Sequence, residues 1–221
     1  MNLKFLLVFS LVPSIALAGI STAQAKRIQE AAQVLKEIHA VPDKDIPQEL
    51  WERAACVIVV PTVKKAALVV GGEYGKGLMS CRHEGAWSAP VFMEVEKGSW
   101  GLQIGAQSID LVLLVMNQSG AEKLLRNKVS LGAEASIAGG PVGRDARAAT
   151  DAQMKAEILS YSRTQGLFAG INLSGGVVRP DVDGNTDLYG PNTTPASVVA
   201  GTGKQAPPET EPFMTALKRG R

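Results

Sequence analysis

The chain has 221 residues, is 45% apolar and 20% charged, and carries a formal net charge of +2. That length suits one domain, or one domain with a tail, and is ample for a hydrophobic core. The near-neutral balance gives no argument for a nucleic-acid partner, which only a local basic cluster could supply.

Residues 1–25 read as a secretory signal. Lys4 supplies the positive start, Phe5 to Val12 is an apolar run too short to span a bilayer and broken by Pro13, and Ala16-Leu17-Ala18 is an A-x-A cleavage site. Ala23-Gln24-Ala25 is the other candidate, so cleavage is expected after Ala18 or Ala25. The mature chain is therefore expected in the periplasm or secreted, peripheral to a membrane.

Thr22 to Ala40 places Ile28, Ala31, Ala32, Leu35 and Ile38 on one helical face and Lys26, Arg27, Glu30, Gln33, Lys36 and Glu37 mostly on the other, which predicts an amphipathic helix stopped by Pro42. Pro47 opens a short second helix through Leu50, Trp51 and Ala54. Strands are predicted over Cys56 to Val60, Ala66 to Val70, Leu78 to His83 and Ala86 to Val95, the last two joined by a Glu84-Gly85 hairpin. Between them, Gly71-Gly72-Glu73-Tyr74-Gly75-Lys76-Gly77 lacks the spacing of a phosphate loop and reads as a tight turn with Lys76 at its tip. Lys97-Gly98 is expected to turn the chain into the stretch Ser99 to Met116, as one long strand or as two with a bulge at Ser108 between them. From Ile109 to Met116 this strand is apolar on both faces except at Asp110. A carboxylate there must be paired, hydrogen-bonded or protonated, because an unpaired buried charge costs several kcal/mol. Arg144 and Arg163 are the candidate partners for a structural ion pair.

Ser119-Gly120-Ala121-Glu122 reads as a capping box that starts a helix burying Leu124 and Leu125. Val129 to Ile137 resumes a strand alternation, Gly139 to Arg144 reads as a loop and possible anion nest, and Ala152 to Tyr161 fits a strand by spacing. Asp181-Val182-Asp183-Gly184-Asn185-Thr186-Asp187 departs from the calcium-loop pattern and reads as a solvated acidic turn. From Pro191 the chain is rich in Pro, Thr, Ala and Gly, and residues 191–221 are expected to be disordered. Cys56 and Cys81, the two cysteines, are either one disulfide or two buried hydrophobes. The two histidines, His39 and His83, stand on separate elements, and neither a nucleophile elbow nor a paired-carboxylate site is visible. No cofactor, metal or catalytic residue is expected.

Val59-Val60-Pro61 with Lys64-Lys65-Ala66, Gly71-Gly72 with Tyr74-Gly75-Lys76-Gly77, Trp87-Ser88-Ala89-Pro90, Gly105 through Val112, Gly140-Pro141-Val142-Gly143-Arg144 and Tyr161 through Gly170 occur in this order. Together they resemble the SYLF domain, also called the Ysc84 actin-binding domain, over about Ala25 to Gly190. The resemblance implies binding of membrane phospholipids, with phosphoinositides among them in eukaryotes and actin bundling in yeast members, and no established enzymatic activity. The amphipathic helix of the eukaryotic relatives matches Lys26, Arg27, Ile28, Leu35 and Lys36 here. A periplasm offers no actin, so what carries over is a capacity to hold anionic phospholipid, with Lys64, Lys65 and Lys76 as further headgroup contacts.

The expectation is an α+β domain over residues 26–190, with a twisted, mostly antiparallel sheet of six or seven strands and the N-terminal amphipathic helices packed on it. Its expected function is that of a non-enzymatic, exported phospholipid-binding module. The alternative is a protein-binding or scaffolding domain with a partner in the cell envelope.

Overall fold

A computed structural model describes residues 20–40, 46–67, 70–100, 105–143, 153, 155–164, 167–203 and 205–219, with backbone alone at 65–67, 70–71, 99–100, 105–107 and 164. The expected leader lies mostly outside these residues. The described elements are, in order, α1 (Thr22–Ile38), α2 (Gln48–Arg53), β1 (Cys56–Ala67), β2 (Val70–His83), β3 (Ala86–Trp87), β4 (Val91–Trp100), β5 (Gly105–Val115) and α3 (Gln118–Arg126). Then come β6 (Val129–Ser130), β7 (Ile137–Gly139), β8 (Ile158–Thr164), β9 (Leu167–Gly170), β10 (Gly176–Pro180), α4 (Val182–Tyr189), α5 (Pro195–Val199), a 3-10 turn (Pro208–Thr210) and α6 (Glu211–Arg219).

The fold is α+β, as expected, with ten strands in one sheet rather than six or seven. Its order is β6-β10-β4-β2-β1-β5-β8-β7, with β3 added to β2 and β9 to β8. Every pairing is antiparallel except β7 with β8. The count rises because predicted runs break. Pro90 splits Ala86 to Val95 into β3 and β4, and Val129 to Ile137 becomes β6 and β7 on opposite edges. Just six residues, 131–136, join those two edges. A chain that short reaches little more than about 20 Å, so the sheet curls until its edges approach each other.

Alternation along the strands divides the core in two. Val57, Val59, Leu78, Phe92, Val112, Leu114 and Tyr161 pack with α1, α2 and α6 on one face. Cys56, Ile58, Met79, Met93, Leu111, Leu113 and Ile158 pack with α3 and α5 on the other. Helix α1 is capped by Ser21 and Gln24 in a capping box and buries Ile28, Ala31, Ala32, Val34, Leu35 and Ile38. Glu84 and Gly85, at φ 50° and 83°, make the expected hairpin turn.

Several expectations are corrected. Gly75-Lys76-Gly77 is mid-strand in β2, and Lys97-Gly98 lies inside β4. A Cβ at Gly77 would run into the carbonyl oxygen of Val59 and sit 2.7 Å from the Cα of Val60, while one at Gly75 would meet the side chain of Val60 at 2.7 Å. These glycines admit the neighbouring strand; they do not form a turn. The cap of α3 is Asn117, whose side chain accepts from the Gly120 N–H at 2.7 Å, not Ser119. The strand predicted from Ala152 begins at Ile158, and Gln153 and Lys155 are helical, as the helix preference of Ala, Met and Glu favours. Asp181 to Asp187 is a helix start: Asp181 caps α4 through the Gly184 N–H. The expected disorder of 191–221 is overturned, because α6 packs on α1 with Phe213, Ala216 and Leu217 fully or almost fully buried. Averaged over a Pro- and Thr-rich stretch, four apolar residues in one nine-residue helix give a weak signal.

Two substitutions test this packing by urea denaturation. Gly77→Ala is expected to cost about 2 kcal/mol or more, since β1 backbone has nowhere to move. Phe213→Ala is expected to cost about 3–5 kcal/mol; an unfolded tail would leave the midpoint unchanged.

Candidate functional site

The lone carboxylate of the long strand is met from both neighbouring strands. Across β5, the register of β1 slips between Val60 and Val63, so Pro61 and Thr62 together stand opposite Asp110. The bulge expected at Ser108 is thus on the partner strand. Thr62 takes a φ of 57°, and its N–H donates to Asp110 Oδ1 at 2.9 Å. On the other side Arg163 of β8 is the register partner of Asp110. Its Nε and Nη2 lie 2.8 and 2.6 Å from Asp110 Oδ2, and its Nη1 meets Glu37 of α1. The Arg163 guanidinium also lies 5.9 Å from the Phe168 ring centre. Burial pushes the Asp110 carboxyl above its ordinary value and the Glu30 carboxylate adds to this, against the Thr62 N–H that lowers it. Burial likewise lowers Arg163. Both oxygens of Asp110 are engaged in tying strand to strand, with Arg163 tying both to a helix. This is the expected structural ion pair; its other candidate, Arg144, lies outside the described residues.

A second polar cluster occupies the same face. Lys76 Nζ stands 2.7 Å from Glu94 Oε1 and 2.9 Å from Asp181 Oδ2. Arg179 Nη2 reaches Glu94 Oε2 at 2.7 Å and Glu96 Oε1 at 2.9 Å, and the Tyr74 hydroxyl donates to Glu94 Oε1 at 3.1 Å. Burial opposes the Lys76 charge, but the two carboxylates outweigh it and hold its pKa above the usual lysine value. Lys76 is therefore engaged within the fold and is not presented as a headgroup contact. Asn185 completes the edge: its Oδ1 accepts from the Phe92 N–H and its Nδ2 donates to the carbonyls of Phe92 and Asp181, each at 2.8 Å. Asn185 falls within the stretch expected as a solvated acidic turn, because Phe92, its other partner besides Asp181, lies 93 positions away in the chain.

The remaining expected contacts divide. Ile28 and Leu35 are fully buried against the sheet and are not available to a bilayer. Lys26 is exposed and pairs with Glu30 at 3.5 Å, and Arg27 lies 5.7 Å from the Phe92 ring centre. Lys36 and Lys64 are exposed. Lys64 is the register partner of Tyr74, which is 43% exposed. Lys65 is described by its backbone alone. Cys56 and Cys81 face each other on β1 and β2, both buried, and form the disulfide, the first of the two alternatives. Among the described residues no cluster of His, Cys, Asp or Glu could hold a metal ion.

A family model, Ysc84, described as Las17-binding protein actin regulator, matches residues 96–220. An SH3 domain-containing protein of Schizosaccharomyces pombe is 35% identical over 164 residues, 72% of this chain and 38% of that protein. LAS seventeen-binding protein 3 of Saccharomyces cerevisiae is 29% identical over 180 residues, 80% of this chain and 39% of its own length. SH3 domain-containing YSC84-like protein 1 of Mus musculus is 29% identical over 168 residues, 73% of this chain and 49% of its own length. The chain thus spans between about two fifths and one half of these relatives.

A double-mutant cycle tests the Asp110 site. Asp110→Ala or Arg163→Ala alone is expected to cost about 3 kcal/mol in urea denaturation, because each leaves a partly buried charge unpaired. Asp110→Leu with Arg163→Met is expected to recover most of that loss. Additive single effects would sever the pair.

Proposed function

Because this chain belongs to the Ysc84 family, we propose that it is a non-enzymatic, exported module that holds anionic phospholipid at a membrane surface. The observation that carries this reading is the Lys64–Tyr74 pair. Side by side across β1 and β2, an exposed lysine and a half-exposed tyrosine stand at the outer edge of the polar cluster, which the tyrosine joins through its hydroxyl on Glu94. Ser108, Gly72 and Gly98 around them are exposed too. Tyrosine with an apolar body and a polar tip, flanked by a lysine with an apolar stem, is the pairing favoured where hydrocarbon meets headgroup.

Each cation near an anionic surface adds roughly 1 kcal/mol, so a few such residues give reversible, salt-sensitive attachment. Export is supported by the leader-like residues 1–25 and by the Cys56–Cys81 disulfide, a bond that persists in oxidising compartments. The polar clusters at Asp110 and Lys76 serve this function as structure: they hold the strands that present the surface.

A second reading, a protein-binding module, draws on the relatives. The yeast protein is named for binding LAS seventeen, and the family is described as actin regulators. On that reading the partner of this chain is a protein of the cell envelope.

Flotation with vesicles of phosphatidylcholine alone or with 30% phosphatidylglycerol separates the two. The lipid reading expects recovery with the anionic vesicles alone, weakened about fivefold or more by Lys64→Glu and by raised salt. Equal absence from both floated fractions, with a partner captured from periplasm, would put the protein reading in its place.

A further inference from the structure

Strand β6 is short: it pairs with β10 at Val177 and Val178 and nowhere else. Beyond that pairing β10 continues through Arg179 and Pro180 with β4 on its other side, while the chain before β6 runs back through Lys128 and Asn127 to the end of α3. Helix α4 and residues 191–196 close the far wall. The result is a cleft of about 670 Å³, within the range that small-molecule sites occupy.

The lining of this cleft is one-sided in charge. Arg126, Lys128 and Arg179 contribute cations, Thr186, Thr193 and Thr194 contribute hydroxyls, and no lining residue is acidic. Arg179 is already held by Glu94 and Glu96. Arg126 and Lys128 are exposed, and neither forms an ion pair among the described residues. Continuing the β6/β10 register by one residue puts Lys128 opposite Arg179, whose charge Glu94 and Glu96 already offset, so Arg126 and Lys128 are the cations this cleft offers to an anion. On the rim, Val182 is 71% exposed, the most exposed of the large apolar side chains among the described residues. A basic seat with the Thr186 and Thr194 hydroxyls beside it and an apolar lip matches a phosphate ester joined to something apolar; the Thr193 hydroxyl is given to the Tyr189 carbonyl.

We propose that this cleft is a binding site for a phosphate-bearing headgroup, in which Arg126 and Lys128 hold the phosphate and Val182 meets the glycerol and first acyl carbons. The site deepens the lipid reading and rests on it for the choice of a lipid over a soluble phosphate ester. It adjoins the Lys64–Tyr74 surface without coinciding with it: β4 lies between β10 and β2, and Glu94 of β4 is met by Arg179 from one side and Tyr74 from the other.

The test compares the full mature chain with two charge-matched double variants. One is Arg126→Ala with Lys128→Ala; the other, Lys218→Ala with Arg219→Ala, removes two exposed cations of α6. Each is measured by partition onto phosphatidylcholine vesicles containing 30% phosphatidylglycerol, and by amide shifts in phosphate-free buffer titrated with glycerol 3-phosphate. The proposal expects the cleft variant to lose on the order of 20-fold in partition and the α6 variant less than about threefold. It also expects glycerol 3-phosphate to shift amides at Arg126, Lys128 and Thr193 in the wild type and not in the cleft variant. Equal losses in the two variants, or none in the cleft variant, would overturn the site while leaving the lipid reading intact. Amide shifts without any vesicle binding would keep the anion seat, assign it to soluble phosphate esters, and overturn the lipid reading. Neither vesicle binding nor shifts would overturn both.

Discussion

Asp110 sits under a helix, on the inner row of a long strand, where a carboxylate needs partners from every side. They come from three directions: the Thr62 N–H from β1, the Arg163 guanidinium from β8 and, through Arg163, the Glu37 carboxylate from α1. For Thr62 to offer its N–H, β1 carries one more residue than β5 at that point, and the surplus bends the strand. The bend presses β1 on β2 where Gly75 and Gly77 leave no side chain in the way. One polar interaction thereby sets the path of β1 and, through it, of β2.

The second cluster follows the same logic. Two residues before Leu78 stands Lys76, and two after Phe92 stands Glu94, so by alternation both share a face with Asp110 and α1. Glu94 is 7% exposed, and its two oxygens are met by Lys76, Arg179 and Tyr74. Networks of this kind add little net stability compared with an apolar packing of equal volume, because desolvation offsets their attraction. What they do is reject alternatives. A one-residue slip would turn Asp110 or Glu94 to the other face, among Leu111, Met93 and Val95, with no partner. At the outer edge of the second cluster the apolar core ends, with Lys64 exposed and Tyr74 half-exposed while its hydroxyl stays on Glu94.

Much of this could be read from local pattern. The single Asp110 in a run of Leu and Val announces its need for a partner, Arg163 is a fitting one, and the period of α1 marks its buried face. The Glu84-Gly85 turn is visible in two residues. What stayed hidden depends on contacts far apart in the chain. Gly75 and Gly77 look like turn residues until β1 lies across them. Asp181 looks solvated until Lys76, 105 positions away, is brought beside it. Phe213 and Leu217 gain meaning from α1 at the opposite end of the chain. The cleft at the end of β6 was invisible for the same reason: Arg126 and Lys128 line one cleft with Arg179 because β6 stops short, which no local period encodes.

The place of α1 also decides how a membrane contact could be made. An amphipathic helix inserts into a bilayer by its apolar face, and here that face is occupied. Ile28, Leu35, Ile38 and, on α6, Phe213 and Leu217 are almost wholly buried. Burying one such side chain is worth about 1.5–3 kcal/mol, so freeing five would cost on the order of a domain's entire net stability of about 5–15 kcal/mol. It would also part Glu37 from Arg163 and leave the Asp110 site without its outer partner. Contact with α1 in place demands none of this. It leaves Lys26 and Lys36 exposed on the helix and Lys64 with Tyr74 on the sheet, where attraction to anionic headgroups acts without unfolding. The same residue pattern that marks α1 as amphipathic therefore argues for a surface-held domain, because the sheet and α6 have already claimed the side that a bilayer would take.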